Sequence, residues 1–205
     1  MALPKPARPG PHPDPPASLP SSALPLFHST SSWFRIHRCQ YEPLYFGRTG
    51  ENRFDAPGGE YGILYCAGDA HCAFIETFGD LGRHVLTMSH VAERCLPHIE
   101  AVRPLALVDL TGPGLARLGA DERLCAGDHA VAQRWALALW AHSSHPDGLY
   151  YRARHDPSRF CLALYDRAAD AVRASHQGRL LEPSNAALLA DMLEVYNFGL
   201  IDDTV

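Results

Sequence analysis

Hydrophobic and polar positions change period several times along the chain. WFRIHR (33–38) alternates, with Trp33, Arg35 and His37 on one side and Phe34, Ile36 and Arg38 on the other, which predicts a strand. YGILYCA (61–67) is a β-rich run of the length expected for a buried strand, PLALVDL (104–110) is a clear strand, and VLTMS (85–89), GLYYRA, RFCLALYD and AVRASH add four more strand candidates. The period lengthens elsewhere. Asp69 can cap a short helix over 70–78 that Gly79 can end. HAVAQRWALALWAH (129–142) places Val131, Trp135 and Leu139 on one face of a longer helix. Ser184 or Asn185 can cap a last helix carrying Leu188, Met192 and Val195 or Tyr196, and Pro113 suits the first turn of a short one. The Gly-, Asn-, Asp- and Pro-rich stretch GRTGENRFDAPGGE (47–60) predicts a loop. Strands and helices follow one another without regular βαβ alternation, so the expected class is α+β, with a mixed or antiparallel sheet core and short helices.

Composition narrows the function classes. The 205 residues are 46% hydrophobic and 20% charged, with a formal net charge of -5 and no long basic run. Nonspecific binding to nucleic acid or to an anionic membrane is therefore not favoured. No apolar stretch reaches the roughly 18 residues that a membrane span needs, and MALPKPARPGPHPDPPASLP lacks the apolar core of a signal peptide. Its prolines favour extended, unpaired backbone, so residues 1 to about 28 are expected to be a disordered tail ahead of a domain over 29–205. Cys39, Cys66, Cys72, Cys95, Cys125 and Cys161 form no CxxC pair and mostly sit in apolar runs. They are expected to be reduced core thiols of a cytoplasmic protein.

The chemistry centres on CAFIETF (72–78), where Glu76 stands among small and apolar residues. On a helix, Cys72 and Ala73 lie one turn back, leave room and offer little to pair with. A carboxylate so placed needs a cationic partner or a ligand. Arg35 and Arg53 are the candidates to meet it, since a guanidinium fork holds a carboxylate or phosphate in a fixed plane.

From Phe34 to Phe78 the chain resembles the RES domain family. The matching elements occur in order: FRIH with Arg35, GENRF with Arg53 and Phe54, APGG, GILYCA with Tyr65, and CAFIE with Glu76. DGLYYRARHDPSRFCLALYD (147–166) matches more loosely but in register, and puts Ala153 where the family carries its Ser; Ser158 is nearby but off the motif position. Either that Ser is dispensable, or the register is shifted, or the activity is altered.

The resemblance implies an ADP-ribosyltransferase-like fold and an NAD-consuming enzyme, a glycohydrolase or phosphorylase of the nicotinamide–ribose bond acting as a toxin. The alternatives are a non-catalytic relative that binds NAD or a partner, and an ADP-ribosyltransferase acting on a protein. Glu76 and Arg35 are then the catalytic candidates. Arg53, Tyr65, Tyr45 and Ala153 are the substrate-binding candidates. NAD is a substrate, with no resident cofactor and no metal. Candidate partners are a helix-turn-helix antitoxin encoded nearby and a second copy of the chain in a homodimer.

Other signals carry less. TGPGLARLG (111–119) is similar in outline to a dinucleotide fingerprint, but its third glycine position is Arg117. His142 and His145 lack a carboxylate or Cys at ligand spacing, Ser143 and Ser144 lack a nucleophile elbow, and Trp135 and Trp140 are expected in a helix core. Asp202 and Asp203 read as a solvated end.

Overall fold

The structure, a computed structural model, describes residues 12–82, 84–175 and 178–203. Among the described residues twelve strands are formed: β1 Leu26–Ser29, β2 Ser32–Phe34, β3 His37–Arg38, β4 Ile63–Ala67, β5 Val85–Thr87, β6 Arg94–Cys95, β7 His98–Ala101, β8 Leu105–Leu110, β9 Gly148–Arg152, β10 Phe160–Tyr165, β11 Val172–Ser175 and β12 Gly199–Ile201. The helices are α1 Ala70–Phe78, α2 Met88–Ala92, α3 Gly112–Leu118, α4 Arg123–Ala126, α5 His129–Trp140 and α6 Ala186–Val195. Eight strands build one sheet in the order β1-β8-β9-β10-β4-β2-β7-β11, and two small ladders, β12-β5 and β3-β6, stand apart. Only β8 and β9 run parallel within the large sheet, and α3, α4 and α5 lie in the long crossover between them. The class is α+β with a mixed sheet, as the pattern predicts.

The apolar runs lie in the middle of the sheet because both faces are covered. Along β4, Ile63, Tyr65 and Ala67 face the main core, while Leu64 and Cys66 face a second cluster with Leu162, Leu164, Ile99 and Leu107. The main core is built from α1 and α5, through Phe74, Phe78, Trp135, Ala136 and Leu139. Gly148 is required where β9 meets β10, since a Cβ there would sit 2.4 Å from the Ala163 carbonyl oxygen. Gly114 has a similar cause: a Cβ would lie 2.1 Å from the Asp109 carbonyl oxygen, so the GPG stretch serves helix-on-strand packing.

Three expectations are corrected. The strand predicted over 33–38 is two short strands with Arg35 and Ile36 between them. β2 pairs with β7, then the chain leaves that sheet and β3 pairs with β6, which carries Ile36 into the main core and leaves Arg35 at the break between the two ladders.

The expected tail is correct in neither extent nor character for residues 12–28 (1–11 lie outside the described residues). Leu19 is 2% exposed, β1 pairs antiparallel with β8 from Leu26 opposite Val108 to Ser29 opposite Leu105, and Trp135 donates its indole N–H to the Pro13 carbonyl at 2.9 Å. Prolines keep their carbonyl acceptors, and it is an acceptor that the buried indole needs.

Cys39 and Cys95 form a disulfide, so the reading of six reduced thiols fails at that pair; Cys66, Cys72, Cys125 and Cys161 are free and buried. The cause is tertiary. The β3–β6 ladder puts His37 opposite Cys95 and so brings Cys39 alongside across a separation of 56 residues. Such a loop closure stabilises a fold by about 2–4 kcal/mol. Thermal melts with and without reductant are expected to differ by several degrees, with the reduced protein lower, and a Cys39→Ser variant should melt at the reduced value in both conditions.

Candidate active site

Glu76 reaches its position through the local logic of α1. Asp69 accepts from the Cys72 backbone N–H at 2.8 Å, fixing the start of the helix, and Cys72, Ala73, Phe74 and Phe78 are buried. The remaining face, at Glu76 and Thr77, borders a cavity of about 360 Å³. Its volume is within the range of small-molecule sites. Gly79 does not end the helical path in a left-handed turn; the chain continues through a 3-10 turn, Gly79–Leu81, and Gly82 takes the positive φ of 56°.

Six other segments complete the walls. Arg35 and Ile36 come from the break after β2, Asn52 and Arg53 from the predicted loop, Tyr65 and Ala67 from β4, Cys125 and His129 from the helices of the crossover, Tyr151, Arg154 and His155 from β9 and the turn beyond it, and Cys161 from β10. Arg35, Arg53, Tyr65 and Glu76, separate in sequence, thus border one space.

The expected ion pair between Glu76 and an arginine is not formed. The Glu76 Oε1 accepts from the backbone N–H of His155 at 2.8 Å. Arg35 donates to the carbonyls of Pro43 at 2.7 Å and Tyr45 at 3.3 Å, and Arg53 to the carbonyl of Gly127 at 2.7 Å. Among the described residues no opposite charge lies within 4.0 Å of any of the three. Burial lowers the pKa of both arginines; for Arg53 the nearby Arg154 charge lowers it further. Cation and anion are therefore each held by neutral backbone groups, and their charges stay available to a ligand.

Tyr65 borders the cavity, but its hydroxyl is committed. It donates to Asp55 Oδ1 at 2.9 Å and accepts from the Phe54 backbone N–H at 2.9 Å. Asp55 in turn accepts from Thr49 and from Asn52. Tyr65 thereby pins the loop that presents Arg53. Burial, then the Asp55 charge, pushes its pKa well up, so it stays a neutral phenol.

Two predicted site residues are not brought in. Tyr45 is 55% exposed, its ring stacked on Tyr41, and it touches the site only through its carbonyl on Arg35. The turn before the loop leaves it on the surface while Phe46 packs on the outer sheet face. Ala153 is buried but borders a neighbouring hollow with Glu122, Arg152 and Pro157. Its backbone N–H bonds to the Arg159 carbonyl at 3.0 Å across the β9–β10 turn, and the hollow shares Cys125 and Arg154 with the Glu76 cavity.

Sequence reasoning missed Tyr151, Arg154, His155, Asn52, His129 and Asp80. The strand period held a signal for Tyr151: it shares the inward face of β9 with Leu149. Burial raises its pKa strongly, and the Glu76 charge adds a little. Burial also raises the Cys66 and Cys125 thiols that border the cavity to about 12, which leaves them protonated and poor nucleophiles. The discounted His142 has both ring nitrogens occupied, by Ser144 Oγ at 2.7 Å and the Ser22 carbonyl at 3.0 Å. Among the described residues no three His, Cys, Asp or Glu side chains are grouped to hold a metal ion, and no helix is long and apolar enough to cross a membrane.

A protein of Sinorhizobium fredii named as the probable toxin y4kH is 30% identical over 105 residues, which span 51% of this chain and 82% of that one. A chain in the crystal structure of the M. tuberculosis MbcT–MbcA toxin–antitoxin complex superposes with a TM-score of 0.57 over 82% of this chain and 91% of its own; at 16% identity that likeness shows the fold. Residues 32–184, from the start of β2 past β11 and across every wall of the cavity, match the RES domain, and the chain belongs to that family.

Proposed function

We propose that the protein is an NAD-consuming enzyme that cleaves the nicotinamide–ribose bond and acts as the toxin of a toxin–antitoxin pair. The observation that carries this reading is the pair of opposite charges, Glu76 against Arg35 and Arg53, facing one cavity without neutralising each other. NAD has a matching distribution: a cationic nicotinamide–ribose end and an anionic pyrophosphate.

In the proposed reaction the C1′–N bond breaks, and its electron pair goes to the ring nitrogen and discharges the pyridinium. The ribose becomes oxocarbenium-like, and a fixed carboxylate lowers the energy of that cation. Glu76 would fill that role, oriented by the His155 N–H. Arg53, and Arg35 at the cavity wall, would bind the diphosphate. Water or phosphate then adds at C1′ and releases a proton, giving ADP-ribose or its phosphate.

An antitoxin that covers the cavity mouth is part of the same proposal.

Incubation of the pure protein with NAD, with and without phosphate, tests the reading. Loss of NAD with ADP-ribose formed in water, or its phosphate formed in phosphate buffer, is expected. Radiolabel from NAD on an added protein would shift the assignment to ADP-ribosyl transfer, and unchanged NAD in all arms would overturn it.

A further inference from the structure

We propose that Arg154 is an exchangeable cation of the cavity, held by Asp80 until a phosphate-bearing ligand draws it into a joint clamp with Arg53. Which ligand supplies the phosphate rests on the function proposed above; the clamp itself does not.

Arg154 and Arg53 border the same cavity from different segments, and the charge of one makes the other harder to keep protonated. Two guanidinium groups in one partly buried space repel, and an anion between them removes that cost. Arg53 donates to one neutral carbonyl, that of Gly127, and a guanidinium has five N–H donors, so its fork keeps capacity.

The hold on Arg154 is loose. Its Nη1 lies 3.2 Å from Asp80 Oδ1 and 3.4 Å from Oδ2, with the two side chains 46% and 67% exposed. The structural pairs of this chain are tighter: Arg159 to Asp69 at 2.6 Å, and Arg103 to both oxygens of Asp147 at 2.7 and 2.8 Å. An open, long pair contributes little and exchanges readily. Asp80 also keeps a second neighbour when Arg154 leaves. His155 Nε2 lies 3.4 Å from Asp80 Oδ1, and its ring rests on Gly79, where a Cβ would come within 2.8 Å of the imidazole. The Asp80 carboxylate is thus a resident competitor for the anion, carried on the 3-10 turn that follows the helix of Glu76.

This arrangement makes a sign prediction that a merely structural role for Asp80 does not. Titration calorimetry of the full chain with inorganic pyrophosphate, inorganic phosphate and ADP-ribose should show that Asp80→Asn tightens binding by about three- to tenfold, because Arg154 is released to the ligand. Arg154→Gln should weaken binding by about tenfold, and Asp80→Glu, which keeps the competitor, should bind within about twofold of the natural protein. Dependence on Arg154 for pyrophosphate and ADP-ribose assigns the clamp to a diphosphate; dependence for inorganic phosphate alone assigns it to the free ion. Unchanged affinity in Arg154→Gln, or weaker binding in an Asp80→Asn protein whose melting is unchanged, would overturn the proposal. If Asp80→Asn melts early, the Arg154→Gln and Asp80→Glu results decide alone. Anion binding with these dependences but no NAD turnover would leave the clamp standing and remove the NAD reading.

Discussion

Glu76→Gln is expected to lower NAD consumption by about two to three orders of magnitude while the protein stays folded. The loss follows from the charge. An amide is nearly the same size as the carboxylate but cannot stabilise a developing oxocarbenium ion, and removal of one preorganised electrostatic group from a transition state costs about that much. The fold should be spared because the contact that holds Glu76 is the 2.8 Å hydrogen bond from the His155 N–H, and a glutamine carbonyl can accept the same bond. A melting temperature within about 3 °C of the natural protein is the control that separates lost chemistry from lost structure. The loss should appear in kcat with KM little changed, since the cations that would hold the diphosphate are anchored on other segments.

Removal of residues 1–28 is expected to have the largest effect on stability. Leu19 alone is worth about 2–4 kcal/mol by Leu→Ala truncation at a fully buried position. The same deletion takes away three of the four residues of β1, which covers the edge of β8, together with the acceptor for the Trp135 indole and the carbonyl that meets the His142 ring. A buried donor left without its acceptor adds about 1–3 kcal/mol. The sum reaches the lower end of the roughly 5–15 kcal/mol that holds an ordinary domain folded. A chain starting at residue 29 should be insoluble or melt more than about 10 °C lower, and Leu19→Ala should lie between it and the natural protein. A truncated chain with an unchanged melt would return the segment to the status of a tail.

These two cases also show which features the sequence reveals and which it hides. Helix α1 was readable because its signals are local: Asp69 caps it and the residues of its buried face lie within nine positions. The strands β4, β8 and β10 were readable because burial on both faces leaves a nearly continuous apolar run, interrupted in β8 by Asp109 alone. The break at Arg35 was not, since WFRIHR alternates correctly while its two halves pair with different partners, β7 and β6. The same ladder hides the Cys39–Cys95 bond.

Within the site, the motif residues Arg35, Arg53, Tyr65 and Glu76 converge on one cavity. What each does there depends on contacts that no local pattern encodes. Asp55 claims the Tyr65 hydroxyl, carbonyls claim the arginines, and a main-chain N–H claims Glu76. The far wall, Tyr151, Arg154 and His155, arrives from about 80 residues downstream, brought in by the pairing of β10 with β4 and β9. Tyr45 and Ala153 show the converse: membership of a matching motif does not place a side chain in the cavity.

The most direct test is a crystal structure of the Glu76→Gln protein with NAD bound. The expected result is NAD in the cavity with its nicotinamide ribose beside residue 76 and its pyrophosphate against Arg53. NAD bound elsewhere, or the reverse orientation with the adenine end at residue 76, would contradict the assignment of the site.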